Sequence, residues 1–172
     1  MRITSAAVGS FCWLVVAPGT VCGLVPGLIT GWRRPADTVP WVDAVGWVLV
    51  LAGGAVLLHA FVAFAWHGHG TPAPAAPNEH LVVQGAYRHV RNPMYVAVVA
   101  VVLGQALLFT SWALFAYLVV IALTMAAFVQ AYEEPTLREA HGPAYDEFCA
   151  NVPRWLPRPT PWRGAGRGAA HR

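Results

Sequence analysis

The chain has 172 residues, of which 57% are apolar and 11% charged, and its mean hydropathy is +0.51. Those values exclude an ordinary water-soluble domain, in which about a quarter of the residues are charged, and predict a helical protein of the membrane. The formal charge of +3 rests on arginine alone, since all eleven basic residues are Arg. These groups stay ionised and can fork onto carboxylate or phosphate. No nucleic-acid partner is expected. Cys12, Cys22 and Cys149 are spaced for neither a disulfide framework nor a metal motif.

From Ser5 to Ile29 the chain carries no charge, enough residues to cross a hydrocarbon core of about 30 Å. The stretch is too long for the apolar region of a signal peptide and is read as a retained anchor, with a kink at Pro18-Gly19. A polar island with Arg33, Arg34 and Pro35 leads to a second apolar run from about Val42 to Trp66, with Asp43 at its edge and Trp32, Trp41 and Trp66 marking interfaces. His67 and His69 resemble a metal pair, but no carboxylate or cysteine adjoins them and no metal site is predicted. The proline-rich stretch Thr71 to Pro77 reads as a stiff extended connector.

Met94 to Ala131 is again without charge, and as one helix it would measure about 57 Å. It must fold back, and Phe109-Thr110-Ser111-Trp112 is the expected turn. The third helix is then short enough to enter the bilayer without crossing it fully. Asn92-Pro93 has the form of a helix N-cap followed by proline at the first helical position. The free N–H groups of that helix start lie beside Arg91, Arg88, Tyr87 and Tyr95, which together make an anion site. A basic juxtamembrane segment touching lipid phosphates is the plainer alternative.

The fold-back returns Glu133 and Glu134 to the same face, so carboxylates meet arginines in a pocket suited to a zwitterionic ligand. Glu134 and Arg138 are also spaced for a simple surface pair one helical turn apart. A further helix is expected from Pro143, with Tyr145, Phe148, Cys149 and Val152 as its apolar stripe, lying on the interface like a lid. Beyond Pro157 the Arg/Gly/Ala tail, residues 158–172, is expected to pack on nothing. The expected fold is therefore all-α and integral to the membrane. About four transmembrane helices, the last two a hairpin, precede a C-terminal interfacial helix. Residues 1–66 hold the first two helices and 67–157 the core with the site. The excess of arginine on one side predicts that both termini and the site face the cytoplasm of a bacterial-type membrane.

Two blocks carry a resemblance. GAYRHVRNPMY, at Gly85 to Tyr95, and EEPTLREAHGPAYDEFCANVPRWLP, at Glu133 to Pro157, resemble in order the signatures of the isoprenylcysteine carboxyl methyltransferase and phospholipid methyltransferase family. The resemblance implies a membrane enzyme that binds S-adenosylmethionine on the cytosolic side and admits a lipid or lipidated substrate from the bilayer. It implies cofactor contacts at Tyr87, Arg88, Arg91, Asn92, Tyr95, Glu133 and Glu134, and catalytic roles for Glu134 and Arg154, the latter orienting the substrate. Asn92 stands where the commonest family form has histidine, so that position cannot act as an acid or base near neutral pH. His89 and His141 remain candidate bases. The function so implied is in-line methyl transfer to a prenylcysteine-like carboxylate or a lipid headgroup. The rivals are an NADPH-dependent membrane sterol or polyprenyl reductase and a non-catalytic haem-binding or scaffold protein built around His59, an ionisable residue inside the second helix.

Overall fold

The computed structural model describes residues 16–67, 81 and 83–164. Cys12, His69, the connector Thr71 to Pro77 and the tail beyond Gly164 lie outside the described residues. Within them the chain is helical, with no strand: α1 (Val16–Thr30), α2 (Pro40–His67), α3 (Pro93–Leu108), α4 (Trp112–His141) and α5 (Pro143–Asn151). A single 3₁₀ turn, Gly85–Arg88, precedes α3.

The helix boundaries follow from local chemistry. Pro40, Pro93 and Pro143 open α2, α3 and α5, where a missing N–H costs nothing. The α3–α4 turn falls where the sequence placed it. Thr110 takes a left-handed conformation (φ 48°) and Ser111 Oγ accepts the Leu114 N–H at 3.3 Å, capping α4. α2 and α4 hold stretches long and apolar enough to cross a membrane, whereas α3 and the described part of α1 are shorter. α3, with 16 residues, spans about 24 Å, less than the roughly 30 Å of hydrocarbon.

Glycine brings α2 and α3 together. A Cβ on Gly104 would lie 2.6 Å from the Gly46 carbonyl oxygen, and one on Gly53 would lie 2.8 Å from that of Ala97. Seven residues along α2 thus match seven residues back along α3, in the antiparallel contact that small residues permit between membrane helices. Leu57, Ala97, Val98, Val102 and Ile121 form the shared core with α4. The outward faces carry Trp41, Val48, Leu51 and Leu58 on α2 and Trp112, Val120 and Leu123 on α4, all exposed. A soluble protein would not leave so much large apolar surface in water, but lipid accepts it.

α1 is irregular at Thr20–Leu24, a π-helical turn in which the Val25 N–H reaches back to the Thr20 carbonyl. Pro26 follows and has no N–H to offer Val21 or Cys22. Gln105 of α3 donates its amide to the Cys22 carbonyl at 2.7 Å, and the Tyr117 hydroxyl of α4 donates to that of Val21 at 3.1 Å. The bend expected at Pro18-Gly19 is thus a π turn immediately after it, bonded into the bundle. At the Phe109 end, Arg34 pairs with Asp43 at 2.8 Å, lies over the Trp47 ring and approaches the Leu108 carbonyl at 3.4 Å. It places a cation at the negative end of α3 and neutralises an acid in the first turn of α2.

Candidate active site at the start of helix α3

The site forms where α3 begins, α4 ends and the chain after α5 returns. α4 widens into a second π turn at Val129–Glu133, closed by the Glu134 N–H on the Val129 carbonyl, and Pro135 follows. Spreading one turn over more residues lets the adjacent carboxylates of Glu133 and Glu134 both reach α3. Glu133 Oε2 accepts from the Tyr95 hydroxyl at 2.9 Å. Glu134 is buried and takes two arginines: Arg154 in fork geometry, Nε to Oε1 at 2.7 Å and Nη2 to Oε2 at 2.8 Å, and Arg91 Nη1 to Oε1 at 3.1 Å. The side chains of Arg91 and Glu134 are 13% and 11% exposed, so both charges need partners to be tolerated.

Arg91 is not fully satisfied. Its Nη1 also donates to Cys149 Sγ of α5 at 2.9 Å, but its buried Nε has no hydrogen-bond partner among the described residues. Tyr87, on the 3₁₀ turn, is pushed above the usual phenol range by burial and by the Glu133 carboxylate, so it stays a neutral hydroxyl near neutral pH. Burial and the adjacent Cys149 do the same to Tyr145 of α5.

Other expected site residues have backbone partners. Asn92 occupies the N-cap position of α3 without capping it; its side-chain amide donates to the Arg154 carbonyl at 3.2 Å. Arg88 donates from Nε to the Trp162 carbonyl at 2.7 Å. His89 donates from Nδ1 to the Arg158 carbonyl at 2.8 Å, a tie that commits one ring nitrogen to holding the chain. Arg138 pairs with Asp146 of α5, not with Glu134.

The chain after α5 forms a strap along the 88–92 segment. Arg91 N–H donates to Pro153 O, Arg158 N–H to His89 O and Trp162 N–H to Arg88 O, each at 2.9 Å. Trp162 packs on Phe148, whose neighbours Tyr145 and Val152 are buried with it as the expected stripe. Residues 158–162, expected to pack on nothing, are therefore held by hydrogen bonds and a ring contact. Sequence reasoning missed this strap because its partners are backbone carbonyls, which leave no residue-type signal. It also missed Cys149 as a partner of Arg91, where the apolar stripe was the only cue. Among the described residues, no three His, Cys, Asp or Glu side chains gather as a metal site would require.

The fold and site together define a helical membrane protein with a mixed-charge cluster built from the ends of two helices. The family model for phospholipid methyltransferases matches residues 41–144, and the chain belongs to that family of membrane methyltransferases. The match takes in α2, which carried no recognisable motif, along with Tyr87, Arg91, Asn92, Tyr95, Glu133 and Glu134; it ends before Cys149 and Arg154. No curated protein and no solved structure matches the chain.

Proposed function

We propose that the chain transfers a methyl group from S-adenosylmethionine to the head of an amphiphile presented from the bilayer, on the cytoplasmic side. The observation that carries this reading is the buried Arg91–Glu134–Arg154 cluster, in which Arg91 Nε has no partner among the described residues. An unsatisfied buried guanidinium N–H is costly and suits a ligand carboxylate. Glu133, beside Tyr95, offers the opposite sign to an ammonium or sulfonium. This donor and this carboxylate fit a zwitterionic sulfonium cofactor, which supplies an already activated methyl, so no covalent enzyme residue is required.

The protein's part is to align and to exclude water. Arg91, Tyr87, Tyr95 and Glu133 would hold the cofactor. Glu134 holds Arg91 and Arg154 in place, and Arg154, one-third exposed, is the guanidinium that can turn toward a substrate phosphate or carboxylate. α5 and the strap cover the pocket from the aqueous side. With α3 only about 24 Å long, its start lies at or within the hydrocarbon boundary, where a lipid head arrives without leaving the membrane. Four membrane passages with both termini cytoplasmic put Arg33 and Arg34 outside, and the Arg34–Asp43 pair lowers the cost of that placement. The test is transfer of radiolabelled methyl from S-adenosylmethionine in membranes containing the protein, followed by organic extraction. Label in the lipid phase that vanishes in Glu134→Gln is expected; label wholly in the aqueous phase would overturn lipid entry.

A further inference from the structure

Cys149 lies half-buried at the edge of the apolar cluster that α5 builds from Tyr145, Phe148 and Val152, and its sulfur accepts from Arg91 Nη1 at 2.9 Å. Packing against that cluster needs no acceptor, and valine would serve it as well. The same short stretch supplies further contacts to the charged cluster: the Pro153 carbonyl takes the Arg91 backbone N–H, and Arg154 forks onto Glu134. It begins beyond residue 144, where the match to the family model ends.

The bonds on Arg91 set how its guanidinium is turned. Glu134 Oε1 and Cys149 Sγ converge on one nitrogen, Nη1, at 3.1 and 2.9 Å. That nitrogen has a hydrogen for each, so one acceptor on α4 and another on α5 fix the plane of the group. Nε, held in the same plane, is buried with no partner among the described residues. The kind of acceptor matters as much as its place. Glu134 is shared between Arg91 and Arg154, so these three side chains together keep a net positive charge. A second carboxylate on Nη1 would cancel that charge. A thiol sulfur is a weak acceptor, which can orient the guanidinium and leave its charge for a ligand.

We propose that Cys149 is a positioning residue: from the covering helix α5 it holds the plane of Arg91 so that Nε–H is presented to the carboxylate of the cofactor. The proposal rests on the S-adenosylmethionine reading for the identity of that ligand. Cys149 acts through Arg91 and does not touch the ligand itself. Without the α5 contact the guanidinium is free to turn, and the cost falls on affinity more than on the fold.

The test is calorimetric titration of S-adenosylmethionine into the full chain in detergent. Cys149→Val keeps the apolar contacts and removes the acceptor, and should weaken binding by about three- to tenfold, the worth of one modest hydrogen bond. Cys149→Ser, which keeps an acceptor, should recover part of the loss. Cys149→Asp should weaken binding more than Cys149→Val, because its carboxylate claims the cation. In an Arg91→Ala background Cys149→Val should have no further effect, the non-additivity expected of two residues that act as one. Undiminished binding in Cys149→Val would overturn the proposal, as would the same fold loss with and without Arg91, or binding as tight as wild type in Cys149→Asp. A wild type that bound no S-adenosylmethionine would be the failure of the cofactor reading instead. Thermal unfolding of the wild type, Cys149→Val, Arg91→Ala and the double variant then tests the contact alone: coupled shifts in midpoint are expected, and additive shifts would overturn it.

Discussion

α1 and α4 contain the same backbone device put to different ends. Each has a five-residue π turn, Thr20–Leu24 and Val129–Glu133, followed after one residue by proline, Pro26 and Pro135. In α1 the carbonyls that Pro26 cannot serve are met by neutral donors, Gln105 and Tyr117, and the turn becomes a joint between helices. In α4 the turn presents Glu133 and Glu134 together, and their partners are a phenol and two guanidinia. A helix irregularity is therefore not a functional site by itself. The charge on the side chains that it exposes, and whether their partners are fully satisfied, separates the two.

The comparison breaks most sharply at Glu134. Glu134→Gln removes the countercharge of two arginines, and breaking a buried pair of this kind is expected to cost about 3–5 kcal/mol. Thermal unfolding in detergent should show a large drop in midpoint, with methyl transfer lost. Gln105→Leu tests the neutral joint. It leaves the Cys22 carbonyl without that donor but also removes Gln105 Oε1, a buried acceptor with no partner among the described residues. The net loss should be only about 1 kcal/mol, with methyl transfer retained. Tyr117→Phe removes one neutral hydrogen bond and should cost about 0.5–1 kcal/mol, again without effect on transfer. A loss of activity in Gln105→Leu or Tyr117→Phe, with stability unchanged, would show that the α1 joint is coupled to the site.

Much of this arrangement was legible in residue types. Asn92-Pro93 marked the start of α3, Thr110-Ser111 marked the turn, and two charged blocks either side of an apolar hairpin had to meet once the hairpin closed. Legibility ended where geometry depends on the backbone path. The π turn that lets Glu133 and Glu134 both face α3 leaves no pattern in side-chain polarity, so which carboxylate pairs with Arg91 was open. Residue type suggests cofactor contacts for Arg88 and Asn92 and a base in His89, and gives no sign that each also bonds a carbonyl of the strap. Nothing in the composition of residues 153–162 announces that they run beside the 88–92 segment.

The central claim is that the charged π turn, and not the neutral one, serves a zwitterionic sulfonium ligand through Arg91, whose Nε has no partner among the described residues. Calorimetric titration of S-adenosylmethionine into the purified protein, Arg91→Ala and Gln105→Leu tests it most directly. The account predicts saturable binding to the wild type, essentially the same binding to Gln105→Leu, and a weakening of roughly ten- to a hundredfold in Arg91→Ala. Arg91→Lys should rescue it only in part, since a lysine cannot reproduce the guanidinium fork. Undiminished binding in Arg91→Ala, or no binding to the wild type, would contradict it.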